Sequence, residues 1–313
     1  MQIQTVTVYG CGTIGSGWAA FFASKGLNVR LWDVNESARV EGRRRAMNAI
    51  DFLAEQKLCD ATIAERARDI IVVFNDPAAA LSDADLIQES IAERLENKRD
   101  AHQLIERYAP AHAIIASSTS GLLASEMQKA LQRPARFLIA HPFNPPHLVP
   151  LVELVSGPQT SAETLKTTYD FYTRLGKIPV VLNKEVPGHL ANRLAAAVWR
   201  EAIHLVASGV ASLEDVDKAL YAGPGLRWAF MGQHMVYHLG GGEGGYPAFF
   251  KHLGPAAETW IRDLANWDRI PEAAKKEVLS QIDAATHGRS IAELERWRDE
   301  KLAALVRTLY SQS

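Results

Sequence analysis

The first 185 residues alternate short apolar runs with longer amphipathic stretches. Apolar runs bounded by turn residues are typical of buried strands, whereas Thr13–Lys25 has the length and spacing of a helix and Glu36–Arg68 those of two helices. Strands that alternate with helices predict crossover units and a mostly parallel sheet. The predicted strands are Ile3–Tyr9, Asn28–Trp32, Ile70–Phe74, Ala84–Gln88, Ala113–Ala116, Phe137–Ala140, Leu151–Val155 and Ile178–Leu182.

The pattern changes after Lys184. Pro187 and Gly188 interrupt the chain, and helical patterns separated by Gly and Pro turns follow to the end. We therefore expect an α/β fold, a doubly wound, mostly parallel sheet over residues 1–184, followed by an all-α domain over residues 185–313. The apolar positions that share the first helical face are Leu190, Leu194, Ala197, Val198, Leu205 and Val206.

Composition narrows the class of protein. The 313 residues are 47% hydrophobic, and 34 basic against 36 acidic residues leave a formal net charge of −2. This balance provides no electrostatic attraction for nucleic acid or an anionic membrane. Two cysteines, Cys11 and Cys59, form no disulfide framework, and we find neither a signal peptide nor an apolar run of about 18 residues. We expect a cytoplasmic protein without nucleic-acid or membrane partners.

A glycine-rich motif, Gly-Cys-Gly-Thr-Ile-Gly, joins the first predicted strand to the first helix, and Asp33 ends the next strand. This context is typical of a Rossmann-type dinucleotide site, although a glycine turn that binds no nucleotide is the alternative. A carboxylate here binds the adenosine ribose hydroxyls and repels a 2′-phosphate, so Asp33 favours NAD over NADP. The predicted cofactor site comprises Gly10, Gly12, Thr13, Ile14, Gly15 and Asp33.

His141 follows one predicted strand, and Glu153 lies in the middle of the next. An acid within an apolar strand is costly to bury without a partner. A His–Glu pair would satisfy this carboxylate and would hold a catalytic imidazole in one tautomer. From the spacing alone, a structural ion pair or an edge-facing glutamate is equally open.

With these motifs in order, the chain resembles the L-3-hydroxyacyl-CoA dehydrogenase superfamily. Ser117–Ser120 is similar to its Ser-Asn-Thr-Ser stretch, with Ser118 in place of asparagine. Pro187–Arg193 is similar to its Pro-Gly-Phe-x-x-Asn-Arg segment, with His189 in place of the aromatic residue. The His–Glu pair also has the spacing of the family's catalytic dyad.

The resemblance implies an NAD-binding domain followed by a helical domain that forms a homodimer. It further implies that a general base takes the hydroxyl proton, that a carboxylate orients the base, and that two polar groups hold the reacting oxygen. The residues in these roles are His141 as base, Glu153 as orienting acid, and Ser120 and Asn192 at the oxygen. The resemblance adds Glu93, Lys98 and Ser118 to the cofactor site.

The substrate expectation depends on the branch of the family. Acyl-CoA members carry a Gly-x-Gly-Phe-Tyr-x-Tyr-like segment after the helical core, and this sequence lacks one. Residues 225–232 and 237–245 instead resemble the branch that acts on free small hydroxy acids, and imply NAD-dependent oxidation of a small L-3-hydroxy acid, first of all L-carnitine. The alternatives are a short-chain L-3-hydroxyacyl-CoA dehydrogenase, an L-gulonate 3-dehydrogenase, and a non-catalytic crystallin-like protein.

Substrate-binding candidates are less specific. Aromatic faces bind a trimethylammonium group by cation–π attraction, but aromatic residues at helical spacing are more often core. Arg193 or Arg227 is available for a substrate carboxylate, or for a structural ion pair. His234 and His238 lack the acidic neighbour of a zinc motif, so no metal is expected. The candidate aromatic residues are Trp199, Trp228, Phe230 and Tyr237.

Overall fold

A computed structural model describes residues 2–310. The chain forms two compact units: residues up to Asn192 together with those from Asp299 onwards, and residues 193–298. The last helix therefore begins in the helical unit and ends in the α/β unit. A domain division at residues 184 and 185 stays a prediction, while the compact units divide after Asn192.

Eight strands form one sheet in the order β3-β2-β1-β4-β5-β6-β7-β8. Neighbouring strands from β3 to β6 are parallel, β7 is antiparallel to β6, and β8 is parallel to β7. This confirms the doubly wound, mostly parallel fold. The strands are β1 (Thr5–Tyr9), β2 (Asn28–Trp32), β3 (Ile71–Val73), β4 (Leu86–Glu89), β5 (Ile114–Ser117), β6 (Phe137–Pro142), β7 (Leu151–Ser156) and β8 (Ile178–Leu182).

Helices cover both faces of this sheet. Several begin at residues whose side chains accept a hydrogen bond from the first turn, such as Asp60, Asp76 and Ser161. The helices of this unit that precede the second unit are α1 (Thr13–Ser24), α2 (Glu36–Glu55), α3 (Ala61–Ile70), α4 (Pro77–Leu81), α5 (Leu95–Tyr108), α6 (Ala124–Gln128) and α7 (Ala162–Arg174).

The core consists of two main clusters, one on each face of the sheet. Alternate residues of β6 enter different clusters: Leu138 and Ala140 pack with α1, whereas Phe137 and Ile139 pack on the opposite face. Side chains alternate between faces along a strand, and both faces here are covered. This is why the strands are continuous apolar runs in the sequence.

The second unit is helical, and no strand follows β8 within residues 2–310. In the same described range, no helix is both long enough and apolar enough to cross a membrane. The helices that form or enter this unit are α8 (Ala191–Ala207), α9 (Leu213–Ala222), α10 (Pro224–Trp228), α11 (Gln233–Gly240), α12 (Gly245–His252), α13 (Gly254–Asp263), α14 (Glu272–Ala285) and α15 (Ile291–Tyr310).

Candidate active site

The loop between β1 and α1 needs its three glycines for different reasons. Gly10 has a left-handed φ of 104°, and a Cβ there would lie 2.7 Å from the carbonyl carbon of Ser90. A Cβ on Gly15 would lie 1.9 Å from the carbonyl oxygen of Gly10. A Cβ on Gly12 would meet no described atom within 4 Å beyond its immediate neighbours. The first and third glycines therefore permit packing, and the second borders open space.

This open space is suited to an anion. Helix α1 begins directly after Gly12, with no side chain capping its first turn and no acidic residue in that turn. The free amides and the helix dipole favour a phosphate group at this position. Beside the loop, Asp33 accepts hydrogen bonds from the amides of Cys11 and Asn35, at 2.8 and 2.9 Å. Its oxygens keep further lone pairs for ribose hydroxyls, so the loop fits a dinucleotide.

His141 and Glu153 face each other across β6 and β7. His141 Nδ1 lies 2.7 Å from Glu153 Oε2, and both side chains are buried. Burial acts to raise the pKa of Glu153, but the hydrogen bonds from His141 and two backbone amides lower this pKa below its usual value. An ionised Glu153 accepts a hydrogen bond from Nδ1–H of His141, which leaves the Nε2 lone pair of His141 available as a base.

The residues around the start of α8 connect this pair to the loop after β5. The second carboxylate oxygen of Glu153 accepts hydrogen bonds from the amides of Leu190 and Ala191, at 2.8 and 2.9 Å. The next residue, Asn192, donates from Nδ2 to the Ser120 carbonyl oxygen at 3.1 Å. One short segment therefore brings together all four predicted reaction residues.

His189, in the same segment, packs beside the base. Its φ of 52° is left-handed, which costs a non-glycine residue about 1–2 kcal/mol. Its ring lies 5.2 Å from that of His141, and its Nε2 lies 3.1 Å from the Thr119 carbonyl oxygen. Burial, together with the neighbouring His141, lowers the pKa of His189. A neutral His189 therefore places no positive charge beside His141.

Glu93 organises the loop after β5. Its Oε1 accepts hydrogen bonds from the Ser120 amide, at 2.8 Å, and from the Thr119 hydroxyl. Lys98 lies behind it, 1% exposed, with Nζ 3.6 Å from Glu93 Oε2 and 2.7 Å from Glu89 Oε1. Lys98 thus links a buried acid to Glu93, which is partly exposed, while contact of Glu93 or Lys98 with a cofactor stays a prediction.

Glu89 is the residue that sequence reasoning missed. It is fully buried at the end of β4 and accepts hydrogen bonds from Lys98, from the Ser117 hydroxyl at 2.6 Å and from the Ile91 amide at 2.9 Å, while His102 Nε2 lies 3.2 Å away. Burial acts to raise the pKa of Glu89, but Lys98 and His102 lower this pKa to about 2. The sequence does carry a signal for this residue, since Glu89 is an acid that directly follows a predicted buried strand.

Ser118 makes its side-chain hydrogen bonds within the protein. Its Oγ lies 2.8 Å from Gln88 Nε2, 2.9 Å from Ser90 Oγ and 3.1 Å from Trp18 Nε1. The backbone of Ser90 is the part of the protein against which Gly10 packs. The hydrogen bond between Ser118 and Ser90 therefore helps to hold the cofactor loop in place. Direct contact between Ser118 and a cofactor stays a prediction.

The four candidate cage residues do not form a cage in the single chain. Within residues 2–310, none of the four rings stacks on another, and Tyr237 instead stacks on Phe249 at 4.2 Å. Trp199 and Phe230 are 60% and 62% exposed, so these two rings are not core residues either. Their surfaces remain available for contacts outside the chain.

Comparisons with known proteins agree with this geometry. The sequence model of the 3-hydroxyacyl-CoA dehydrogenase NAD binding domain matches residues 5–186, and that of the C-terminal domain matches residues 188–281. The chain belongs to the 3-hydroxyacyl-CoA dehydrogenase family. This member is an NAD-dependent oxidoreductase that acts on the CH–OH group of a small molecule, which confirms the predicted activity and cofactor.

The similarity to curated proteins extends over nearly the whole chain of this dehydrogenase. The L-carnitine dehydrogenase of Bacillus cereus is 42% identical over 309 residues, which cover 98% of this chain and 93% of the relative. That of Pseudomonas putida is 41% identical over 313 residues, which cover 99% and 95%.

Solved structures of dehydrogenases share the fold. A 5-formyl-3-hydroxy-2-methylpyridine 4-carboxylic acid 5-dehydrogenase, described as an NAD+ dependent dismutase, aligns over 100% of both chains with a TM-score of 0.84 and 28% identity. The (S)-3-hydroxybutyryl-CoA dehydrogenase of Ralstonia eutropha aligns over 71% of this chain and 78% of its own, with a TM-score of 0.65 and 29% identity.

Proposed function

We propose that this enzyme oxidises the 3-hydroxyl group of L-carnitine to a keto group, with NAD as acceptor. The observation that carries the proposal is the identity of about 40% with L-carnitine dehydrogenases from several bacteria over nearly the full chain. The absence from the sequence of the acyl-CoA segment supports the same substrate class.

The proposed chemistry follows from the site. His141 Nε2 takes the hydroxyl proton while the C3–H bond breaks. Nε2 is the nitrogen that acts, because Nδ1–H is already hydrogen-bonded to Glu153. Glu153 stabilises the resulting imidazolium and keeps the ring in one orientation. NAD supplies the hydride acceptor when bound.

Ser120 and Asn192 hold the reacting oxygen in the proposed mechanism. The 3.1 Å hydrogen bond from Asn192 to the Ser120 carbonyl oxygen keeps the two residues adjacent. Polar groups held in place before reaction stabilise the oxygen without reorganising as its charge changes. The cofactor residues are proposed as Gly10, Gly12, Thr13, Ile14, Gly15, Asp33, Glu93, Lys98 and Ser118.

A short-chain L-3-hydroxyacyl-CoA substrate is the second candidate, because the family description and the Ralstonia structure both name such activity. One assay separates the two candidates: reduction of NAD followed at 340 nm with L-carnitine, L-gulonate, L-3-hydroxybutyrate and L-3-hydroxybutyryl-CoA. We expect the highest kcat/KM with L-carnitine and NAD, and weak activity with NADP because of Asp33. Turnover restricted to the CoA ester would overturn the carnitine proposal.

We further propose that two copies associate through the helical unit. Large apolar side chains there are exposed in the single chain, among them Leu194 at 71% and Trp199 at 60%. Exposed apolar surface of this kind is typical of an interaction face. Both cysteines, Cys11 and Cys59, are free, which fits the reducing cytoplasm as the location.

A further inference from the structure

A cleft of about 680 Å³ in the α/β unit lies outside the candidate active site. It is bordered by the ends of α1 and α2, the connection before β7, the turn between α7 and β8, and the end of α15. None of the residues proposed for the cofactor or the reaction lines it. We call it the basic cleft, because four of its lining residues are cations: Lys25, Lys57, Arg174 and Lys177.

The charged side chains among the described residues that line the basic cleft are all basic. None of the described residues that line it is aspartate or glutamate. Nor does any of the four cations form an ion pair in the part of the chain that the structure describes. Lys25, Lys57 and Arg174 are exposed at the rim, whereas Lys177 is only 5% exposed. Three exposed basic side chains therefore border the cleft together with one buried lysine.

Lys177 is held without a carboxylate. Its ammonium donates to the carbonyl oxygens of Val149, at 2.8 Å, and Pro146, and lies 4.3 and 5.0 Å from the ring centroids of Phe21 and Trp18. An ammonium has three donors, so one remains beyond these two carbonyls. Burial, with Lys25 nearby, lowers the pKa of Lys177 to about 7. A buried cation without an anionic partner gains stability from an anion beside it.

We propose that the basic cleft is a binding site for a small phosphate-bearing anion of several negative charges, separate from the dehydrogenase site. Three exposed cations, together with a buried lysine that a bound anion would keep charged, match an anion of three or more charges better than a single carboxylate, since none of the described lining residues is acidic. The volume is in the range of about 300–1,000 Å³ that small-molecule sites occupy. Arg174 supplies the planar guanidinium that binds phosphate oxygens in pairs.

The test is titration calorimetry at pH 7 and constant ionic strength, with sodium tripolyphosphate as probe. NADH is kept at saturation, so that the probe cannot occupy the Gly10 loop. The test variant, Lys57→Gln with Arg174→Gln, changes only exposed side chains of the cleft. The matched control, Lys166→Gln with Lys275→Gln, removes two exposed cations elsewhere.

We expect one site per chain in the wild type and in the control, and a dissociation constant raised about tenfold or more in the cleft variant. An unchanged constant in the cleft variant, equal weakening in the control, or no binding to the NADH-saturated wild type would overturn the proposal. Tighter binding of citrate than of tripolyphosphate would overturn the phosphate class. No readout depends on carnitine turnover, so failure of the proposed function leaves this test intact.

Discussion

At the scale of single residues, the proposed reaction depends on one nitrogen of His141. Replacing His141 by Gln keeps a polar side chain but removes the base. We expect kcat to fall about 10²–10⁴-fold, the range that general bases contribute, while NADH affinity measured by fluorescence stays within about twofold. His112→Gln, at an exposed histidine, is the control and should keep full activity. Near-normal turnover in the His141 variant would refute the assignment.

Glu89 is expected to control stability rather than the chemical step. Its pKa of about 2 in the folded protein lies below that of the unfolded chain. A carboxylate with a lowered pKa contributes stability that is present above the unfolded pKa of about 4.3 and is lost as the pH falls towards 2. Glu89→Gln removes this contribution and leaves the buried Lys98 with only the more distant carboxylate of Glu93, 3.6 Å away, so we expect about 3–5 kcal/mol of destabilisation at pH 7.

Urea unfolding between pH 7 and pH 3 measures this effect. The free energy of unfolding of the Glu89 variant should fall less steeply with acid than that of the wild type. Glu65→Gln, at an exposed acid, is the matched control and should stay within about 0.5 kcal/mol of the wild type. Equal acid sensitivity in the wild type and the Glu89 variant would contradict the role of this network.

At the scale of elements, the glycines of the β1–α1 loop have two separate roles, one in packing and one in cofactor binding. Gly12→Ala places its methyl group in open space, so we expect nearly unchanged thermal stability but NADH affinity lowered about tenfold or more, since the methyl group would fill the space proposed for the pyrophosphate. Gly15→Ala collides with the Gly10 carbonyl oxygen at 1.9 Å, so we expect a loss of several degrees in Tm. Differential scanning fluorimetry and NADH fluorescence titration give both readings. A lowered Tm with normal NADH affinity in Gly12→Ala, or an unchanged Tm in Gly15→Ala, would contradict the roles assigned to these glycines.

At the scale of the whole molecule, the exposed apolar face of the helical unit predicts a homodimer. Trp199→Glu places a charge on that face, and we expect sedimentation at micromolar concentration to shift from twice the chain mass towards the monomer. Stable interfaces bury about 1,600 Å² and exclude unpaired charges. Val40→Glu is the matched control, because Val40 is 65% exposed but belongs to the α/β unit. If the wild type is a monomer, or if the Trp199 variant is as dimeric as the Val40 control, this face is not a dimer interface.

Much of the fold could be predicted from the sequence. All eight strands lie at or within a few residues of their predicted positions, because a strand covered on both faces must be apolar throughout. The Gly10 loop was predictable because its constraints are local: a turn, a close approach and a helix start. His141 and Glu153 could be paired because they occupy adjoining strands in register.

Other features were decided only by the tertiary structure. Local patterning predicts which residues are buried, but it does not specify which distant residues meet. The amides of Leu190 and Ala191 reach Glu153 because the chain returns past β7 before α8 begins. The Glu89 network and the basic cleft likewise join residues from separate elements. Sequence by itself determined the order of elements and the chemistry they carry; packing across the sheet decided the partners, since burial and charge act between neighbours in space.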